Sequence, residues 1–183
     1  MGGVRSASLR LLMCAALLGL GAQALRAPAA LPFPYVGPAR SALGPLPPPR
    51  SGERPLLNLR GKTTETLTLS QLRALPATRY NSTQPQLGQS FTYQGVPLRD
   101  LARRGGFAGR DLRVTAEDGF VATITASDYM TAPIMVAYEA GGKPIPTLKK
   151  GPLLIVFPPD PVRFPRRPYG SQWVWFVRSV GPR

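Results

Sequence analysis

The residues best suited to chemistry stand together just before an aromatic strand. Arg79, Tyr80, Asn81, Ser82 and Thr83 supply a cation, an aromatic face and hydrogen-bonding groups at consecutive positions. Such a set could hold an anion or another small ligand, because guanidinium and hydroxyl groups donate to phosphate and carboxylate oxygens. The alternative, which turn preferences favour, is an ordinary polar loop capped by Asn and Ser. Arg79, Asn81, Ser82 and Thr83 are therefore candidate ligand-binding or cofactor-binding residues.

A second candidate group lies in a proline- and arginine-rich loop at residues 158–170 and shortly after it. Arg163, Arg166 and Arg167 could line a pocket for an anion, and Trp173 could stack on a flat ligand. The alternative is that the arginines are solvated and that the tryptophan packs in the core. Arg166, Arg167 and Trp173 complete the set of candidate binding residues, and no catalytic residue is identified.

The missing residue types exclude several kinds of chemistry. The chain has no histidine, and its one cysteine is Cys14, close to the N-terminus. Zinc, copper and haem sites usually need histidine or cysteine, so no metal site is predicted. Serine and cysteine nucleophiles that are activated by histidine are excluded for the same reason.

The chain is strongly basic, with a formal net charge of +14. Its Lys and Arg residues are spread along the sequence without a basic helix or an RNA-binding aromatic motif, so nucleic acid is not the expected partner. An anionic membrane surface, an acidic protein partner at the membrane or in the periplasm, or an anionic small ligand suits the charge better. A generally basic, solvated surface is the alternative.

The N-terminal region indicates export. Residues 1–24 combine Arg5 and Arg10, a short apolar run and the small-residue sequence Ala22-Gln23-Ala24, which together are typical of a secretory signal peptide. The run is too short to span a bilayer. We therefore expect a periplasmic or secreted protein that loses Cys14 with the signal. Residues 25–55 are proline-rich and predict a flexible or polyproline-like linker, and residues 56–183 predict one domain.

Residues 56–183 predict many short strands and few helices. Alternation in 55–61 and 64–70 predicts two strands, followed by a short helix with Ser70 as its N-cap. Asp118-Gly119 predicts a tight hairpin. The apolar run 151–158 predicts a central strand, and 171–180 predicts a final strand with Trp173 and Trp175 on one face.

The order of several segments resembles a known family. "LTLSQLRALP", "FTYQGVPLRDLARRGG", "VTAEDGFVATITASDY", "GPLLIVFP" and "WVWFVRSV" follow one another as in the molybdopterin-binding oxidoreductase domain of the sulfite oxidase type. The resemblance runs from about Thr66 to Val180. It implies an α+β, mainly β fold, that is, a sulfite-oxidase-like molybdopterin-binding domain with few short helices.

The resemblance also implies where a cofactor would bind. Enzymes of this family hold molybdenum through a cysteine in the loop before the "GVPL" turn, a place that falls near Asn81, Ser82 or Thr83 in this chain. A neutral hydroxyl or amide is a poor substitute for a thiolate on molybdenum. The residues therefore predict that no cofactor is bound and that the domain is a non-catalytic module for a small ligand or a partner. A molybdopterin-dependent oxidoreductase, or a subunit of one, is the alternative.

Overall fold

The structure, a computed structural model, describes residues 30–183, so the predicted signal peptide and residues 25–29 of the predicted linker lie outside the described residues. It contains two β-sheets and four short α-helices, which confirms the α+β, mainly β class. Within residues 30–183, no helix has the length and apolarity needed to cross a bilayer. The first sheet is formed by β1 (Tyr35–Val36), β4 (Ala77–Gln84), β5 (Gln89–Pro97), β8 (Met135–Ala140), β9 (Lys143–Pro144) and β10 (Leu154–Val156).

The second sheet contains the other five strands, and the helices connect strands of both sheets. Its members are β2 (Leu57–Arg60), β3 (Thr64–Leu67), β6 (Leu112–Ala116), β7 (Val121–Ile124) and β11 (Val177–Pro182). The α-helices are α1 (Leu69–Ala74), α2 (Leu98–Arg104), α3 (Ala126–Thr131) and α4 (Arg166–Tyr169), and there are 3-10 turns at Thr147–Lys149 and Gly170–Gln172.

The strand order brings distant parts of the chain together. The first sheet runs β1-β4-β5-β8-β10 with β9 on β8, and the second runs β3-β2-β11-β6-β7. Every pairing is antiparallel except that of β2 with β11. Inward-facing side chains of both sheets form one continuous apolar core, to which Leu59 and Val114 contribute from one sheet and Val96 and Val136 from the other.

Helix α1 begins two residues earlier than the sequence predicts. Thr68, not Ser70, is its N-cap, and the Thr68 backbone N–H donates to Gln71 Oε1 at 3.0 Å in a capping box. Ser70 instead lies inside the helix, where Glu53 accepts hydrogen bonds from its backbone N–H at 2.8 Å and its hydroxyl at 2.5 Å. The predicted N-cap was wrong because both residues are good caps, and the glutamine three residues after Thr68 decides between them.

Glu53 makes folding sensitive to acid. Its hydrogen bond from the Ser70 hydroxyl, assisted by the backbone N–H groups of Ser70 and Arg50, lowers the pKa of Glu53 from 4.5 to about 2. A lowered folded-state pKa stabilises the fold above pH 4.5, and this contribution is lost as the pH falls through about 2. We expect Glu53→Gln to lower the melting temperature at neutral pH and the difference from wild type to shrink below pH 4.5.

Melting curves followed by circular dichroism between pH 7 and pH 2 would check this prediction. Glu117→Gln is the matched control, because the Glu117 side chain is 61% exposed and its one ion pair within residues 30–183 is with the exposed Arg178, at 3.7 Å. A melting-temperature difference between Glu53→Gln and wild type that stayed constant from pH 7 to pH 2 would contradict the link between Glu53 ionisation and stability.

The proline-rich segment differs from the flexible tether that its composition predicts. Residues 31–46, which we call the N-terminal strap, lie against the domain: β1 pairs with β4, and the Leu31 N–H donates to the Thr131 carbonyl at 2.7 Å. The Arg99 guanidinium stacks 3.5 Å from the centre of the Phe33 ring, and the Tyr35 hydroxyl donates to buried Asp100 at 2.6 Å. Aromatic residues between the prolines provide these anchors.

The last two strands also differ from the sequence prediction. β10 is buried on both faces, as expected, but it lies at the end of its sheet order, where the Ile155 N–H donates to the Val174 carbonyl at 2.9 Å. β11 begins only at Val177, so Trp173 and Trp175 precede the strand. Phe176, with φ of 52°, turns the chain between the tryptophans and the strand.

Candidate functional site

A cavity of about 440 Å³ lies between the end of β4 and residues 157–173. It brings together four of the candidate residues, namely Ser82, Thr83, Arg166 and Trp173. The rest of its lining is dominated by prolines and aromatic rings. These are Pro85, Pro158, Pro159, Pro161 and Pro165, with Phe157, Phe164 and Tyr169.

The stretch predicted as a polar loop is a strand, and the cavity borders only the end of that strand. β4 pairs along its length with β5, so successive side chains point to opposite faces. Asn81 and Thr83 are exposed, whereas Ser82 and Gln84 are each only 2% exposed. Arg79 is exposed and donates twice to Gln94 Oε1, at 2.9 Å and 2.5 Å. Arg79 and Asn81 lie on the same face as Thr83 but earlier on the strand, and they do not line the cavity.

Ser82 is the buried one of the three residues, Asn81, Ser82 and Thr83, near which the resemblance implies the family's cysteine. Its hydroxyl is buried and donates to the Phe157 carbonyl at 2.8 Å. A buried hydroxyl that already has an acceptor ties β4 to the chain after β10. Thr83, the next residue, contacts Ser90 across the hairpin with 2.7 Å between their hydroxyl oxygens. Both hydrogen bonds are structural: one joins β4 to the chain after β10, and the other joins β4 to β5.

Aromatic rings form the inner wall of the cavity. The Phe157 ring centre lies 5.2 Å from that of Phe164, 5.7 Å from that of Tyr169 and 5.9 Å from that of Trp173. Phe164 and Tyr169 meet edge to face at 5.1 Å. Phe157 is 1% exposed and stands at the centre of the cluster. Such clusters combine apolar burial with favourable ring geometry.

The arginines of the 158–170 loop have separate roles. Arg166 lines the cavity and is exposed, while Arg167 is exposed and does not line it. Arg163 donates to the Thr131 hydroxyl and to the Ser127 carbonyl, so it fastens the loop to α3. The predicted grouping of these arginines around one pocket thus holds for Arg166 alone.

Two polar residues of the site were not singled out from the sequence. Asp160 lines the cavity, and its Oδ1 accepts the Arg163 backbone N–H at 2.9 Å. Tyr169 donates to Asp128 Oδ2 at 3.2 Å, and burial together with the nearby Asp128 carboxylate raises the pKa of the Tyr169 hydroxyl. The spacing of aromatic residues between 157 and 173 was the available signal for Tyr169; no comparable signal marked Asp160.

The donor set does not fit thiolate ligation of molybdenum. Residues 30–183 contain no cysteine or histidine, and within them no three His, Cys, Asp or Glu side chains come together as a metal site. Among the three residues near which the resemblance implies the family's cysteine, Ser82 is buried, and its hydroxyl donates to a backbone carbonyl. Asp160 and Arg166 are the charged residues of the lining, so the cavity also lacks the concentration of cations that a phosphate-bearing cofactor favours.

Comparison with known proteins identifies the domain. A family model described as the oxidoreductase molybdopterin binding domain matches residues 56–161, which span β2 through β10 and the start of the loop after it. No curated protein was found to be similar to the chain. The matched range includes the Ser82 position and the first part of the cavity lining, and the two-sheet fold agrees with it. The chain belongs to the molybdopterin-binding oxidoreductase domain family, consistent with a domain of the sulfite oxidase type.

Proposed function

We propose that this protein is an exported, non-catalytic member of its family that binds a small ligand or a partner segment in the cavity beside β4. The observation that carries the proposal is the Ser82 hydroxyl, which is buried and donates to the Phe157 carbonyl. Ser82 belongs to the stretch Asn81, Ser82 and Thr83, near which the resemblance implies the family's thiolate ligand. A hydroxyl holds its proton far more tightly than a thiol and is a poorer donor to a soft metal.

The lining indicates what the cavity would bind. Prolines and aromatic rings present flat apolar faces, and a volume of about 440 Å³ suits a compact ligand. Arg166 and Asp160 offer one positive and one negative group for polar contacts. A ligand with a flat apolar body and few charges fits this lining better than the anion that the sequence predicts.

The second candidate function is a molybdopterin-dependent oxidoreductase or a subunit of one. The family match over residues 56–161 favours it, because the family is defined by binding this cofactor. Such a protein would need molybdenum ligands other than cysteine, since residues 30–183 contain no cysteine.

Metal and pterin analysis separates the two functions. The full chain would be expressed in a host that makes the molybdenum cofactor and purified from its exported compartment. We expect molybdenum and pterin fluorescence at background level. Stoichiometric molybdenum would overturn the non-catalytic proposal, and the variant Ser82→Ala would then show whether the Ser82 hydroxyl is a ligand.

If the protein is exported, the signal sequence predicts the first residue of the mature chain. The small-residue sequence Ala22-Gln23-Ala24 is the expected cleavage site. We expect intact-mass measurement of the exported protein to show a chain that begins at Leu25. Recovery of the full-length chain in the membrane fraction would contradict cleavage and indicate an N-terminal anchor.

A further inference from the structure

A second concave surface lies on another part of the first sheet. It is a groove of about 520 Å³ between the hairpin that joins β4 to β5 and residues 143–150, and we call it the lysine groove. It shares no lining residue with the cavity described above. Neither the family resemblance nor the proposed function uses it.

The lysine groove has an apolar floor and exposed leucines at its edge. Tyr93, Ile145 and Leu154 form the floor and are no more than 5% exposed. Leu148 is 98% exposed and Leu87 is 47% exposed. Single exposed leucines are common, but leucines that continue a buried apolar floor to the surface form a patch that favours contact with another apolar group.

Among the described residues, three lysines and no acidic residue line this groove. Lys143, Lys149 and Lys150 line it, and they are all the lysines of the chain apart from Lys62. No Asp or Glu lines the groove, and within residues 30–183 none of the three lysines forms a salt bridge. Unneutralised ammonium groups beside an apolar floor are complementary to a molecule that has an anionic head and an apolar body.

The segment that carries these lysines is held in a fixed shape. The Lys149 and Gly151 N–H groups donate to the Pro146 carbonyl at 2.8 Å and 3.0 Å. Lys150 adopts a left-handed φ of 72°, and its Nζ lies 4.5 Å from the centre of the Trp175 ring. The preformed turn fixes the main chain at Lys149 and Lys150, so binding has no backbone ordering cost there.

We propose that the lysine groove binds an anionic amphiphile, with one apolar chain along Phe91, Ile145 and Leu148 and a carboxylate or phosphate head near the lysines. The volume lies in the range of small-molecule sites, and the unbalanced positive charge favours an anionic head. The same chemistry could come from a free amphiphile or from a lipid in an anionic membrane. This inference does not depend on the function proposed for the first cavity.

Titration calorimetry with decanoate and decanol tests the site, because the two probes share a chain and differ in head charge. We expect saturable decanoate binding at least about tenfold tighter than that of decanol, which corresponds to about 1.4 kcal/mol. The double variant Lys143→Gln/Lys149→Gln should lose most of this difference, and Leu148→Ser should weaken both probes. Lys62→Gln/Arg113→Gln removes the same charge outside the groove and should bind decanoate like wild type.

Vesicle flotation distinguishes the two sources of the ligand. Vesicles of phosphatidylcholine with phosphatidylglycerol would be compared with vesicles of phosphatidylcholine alone, using the same variants. Flotation that the groove variant loses and the charge-matched control keeps supports a membrane lipid, and decanoate binding without such flotation supports a free amphiphile. Equal behaviour of the groove variant and its control in both assays would overturn the proposal, as would preferential binding of an acidic peptide with no decanoate binding.

Discussion

Replacing Gly95 with alanine is expected to destabilise the domain by about 3 kcal/mol. Gly95 lies in β5 at a shift of register against β8. A Cβ there would stand 2.2 Å from the Val136 carbonyl oxygen and 2.5 Å from the Ala137 Cα. Both are backbone atoms of the neighbouring strand, so they can move away only if the β5–β8 pairing opens.

Chemical denaturation followed by fluorescence would measure this loss, with Gly44→Ala as the matched control. The nearest atom to a Cβ on Gly44 is the Ser41 carbonyl oxygen at 3.4 Å, and Gly44 has no positive φ. The control should therefore change the free energy of unfolding by less than about 0.5 kcal/mol. Similar values for the two variants would show that β5 and β8 tolerate a wider separation than the structure has.

The features that the sequence predicts well are those decided by neighbouring residues. The Asp118-Gly119 hairpin between β6 and β7 is confirmed: Gly119 has a φ of 88°, and Asp118 Oδ1 accepts the Phe120 N–H at 3.0 Å. The helix predicted after Gly95-Val96-Pro97-Leu98 is also confirmed as α2, but Gly95, Val96 and Pro97 are the last residues of β5 and not the predicted turn. In both cases a turn residue or a proline restricts the backbone locally, whatever the rest of the domain does.

β4 was missed because its inward face is polar. Thr78, Ser82 and Gln84 are buried, so the alternation of burial along the strand is not an alternation of hydrophobicity. The acceptor that makes a buried Ser82 hydroxyl acceptable is the Phe157 carbonyl, 75 residues away. Such a partner is invisible to local pattern analysis, and the same is true of the Asp100 carboxylate that holds Tyr35 of the strap.

Only some of the candidate binding residues line the cavity. Ser82, Thr83, Arg166 and Trp173 meet at the cavity because β4 and the 158–173 segment pack together. Arg79 and Asn81 were grouped with Ser82 by proximity in sequence, but they lie earlier on β4, and the cavity borders the strand only at Ser82 and Thr83. Their role as binding residues stays a prediction for which the cavity gives no support.

The aromatic cluster provides the second large effect, because one ring supports both the core and the cavity wall. Phe157→Ala is expected to lower the free energy of unfolding by about 4 kcal/mol, since it removes a fully buried ring and leaves a void. Phe164, Tyr169 and Trp173 would each lose their contact with its ring. The cavity wall beside Ser82 would also become less ordered.

Denaturation of Phe157→Ala, Phe157→Leu and Val162→Ala would resolve the two roles of the ring. Val162 is 92% exposed in the same segment, so its truncation should have little effect. Phe157→Leu keeps much of the buried apolar volume but removes the ring contacts, and it should fall between wild type and Phe157→Ala. If Phe157→Ala were as stable as Val162→Ala, the cluster would not be the support of the 158–173 segment, and the cavity beside Ser82 would need another origin.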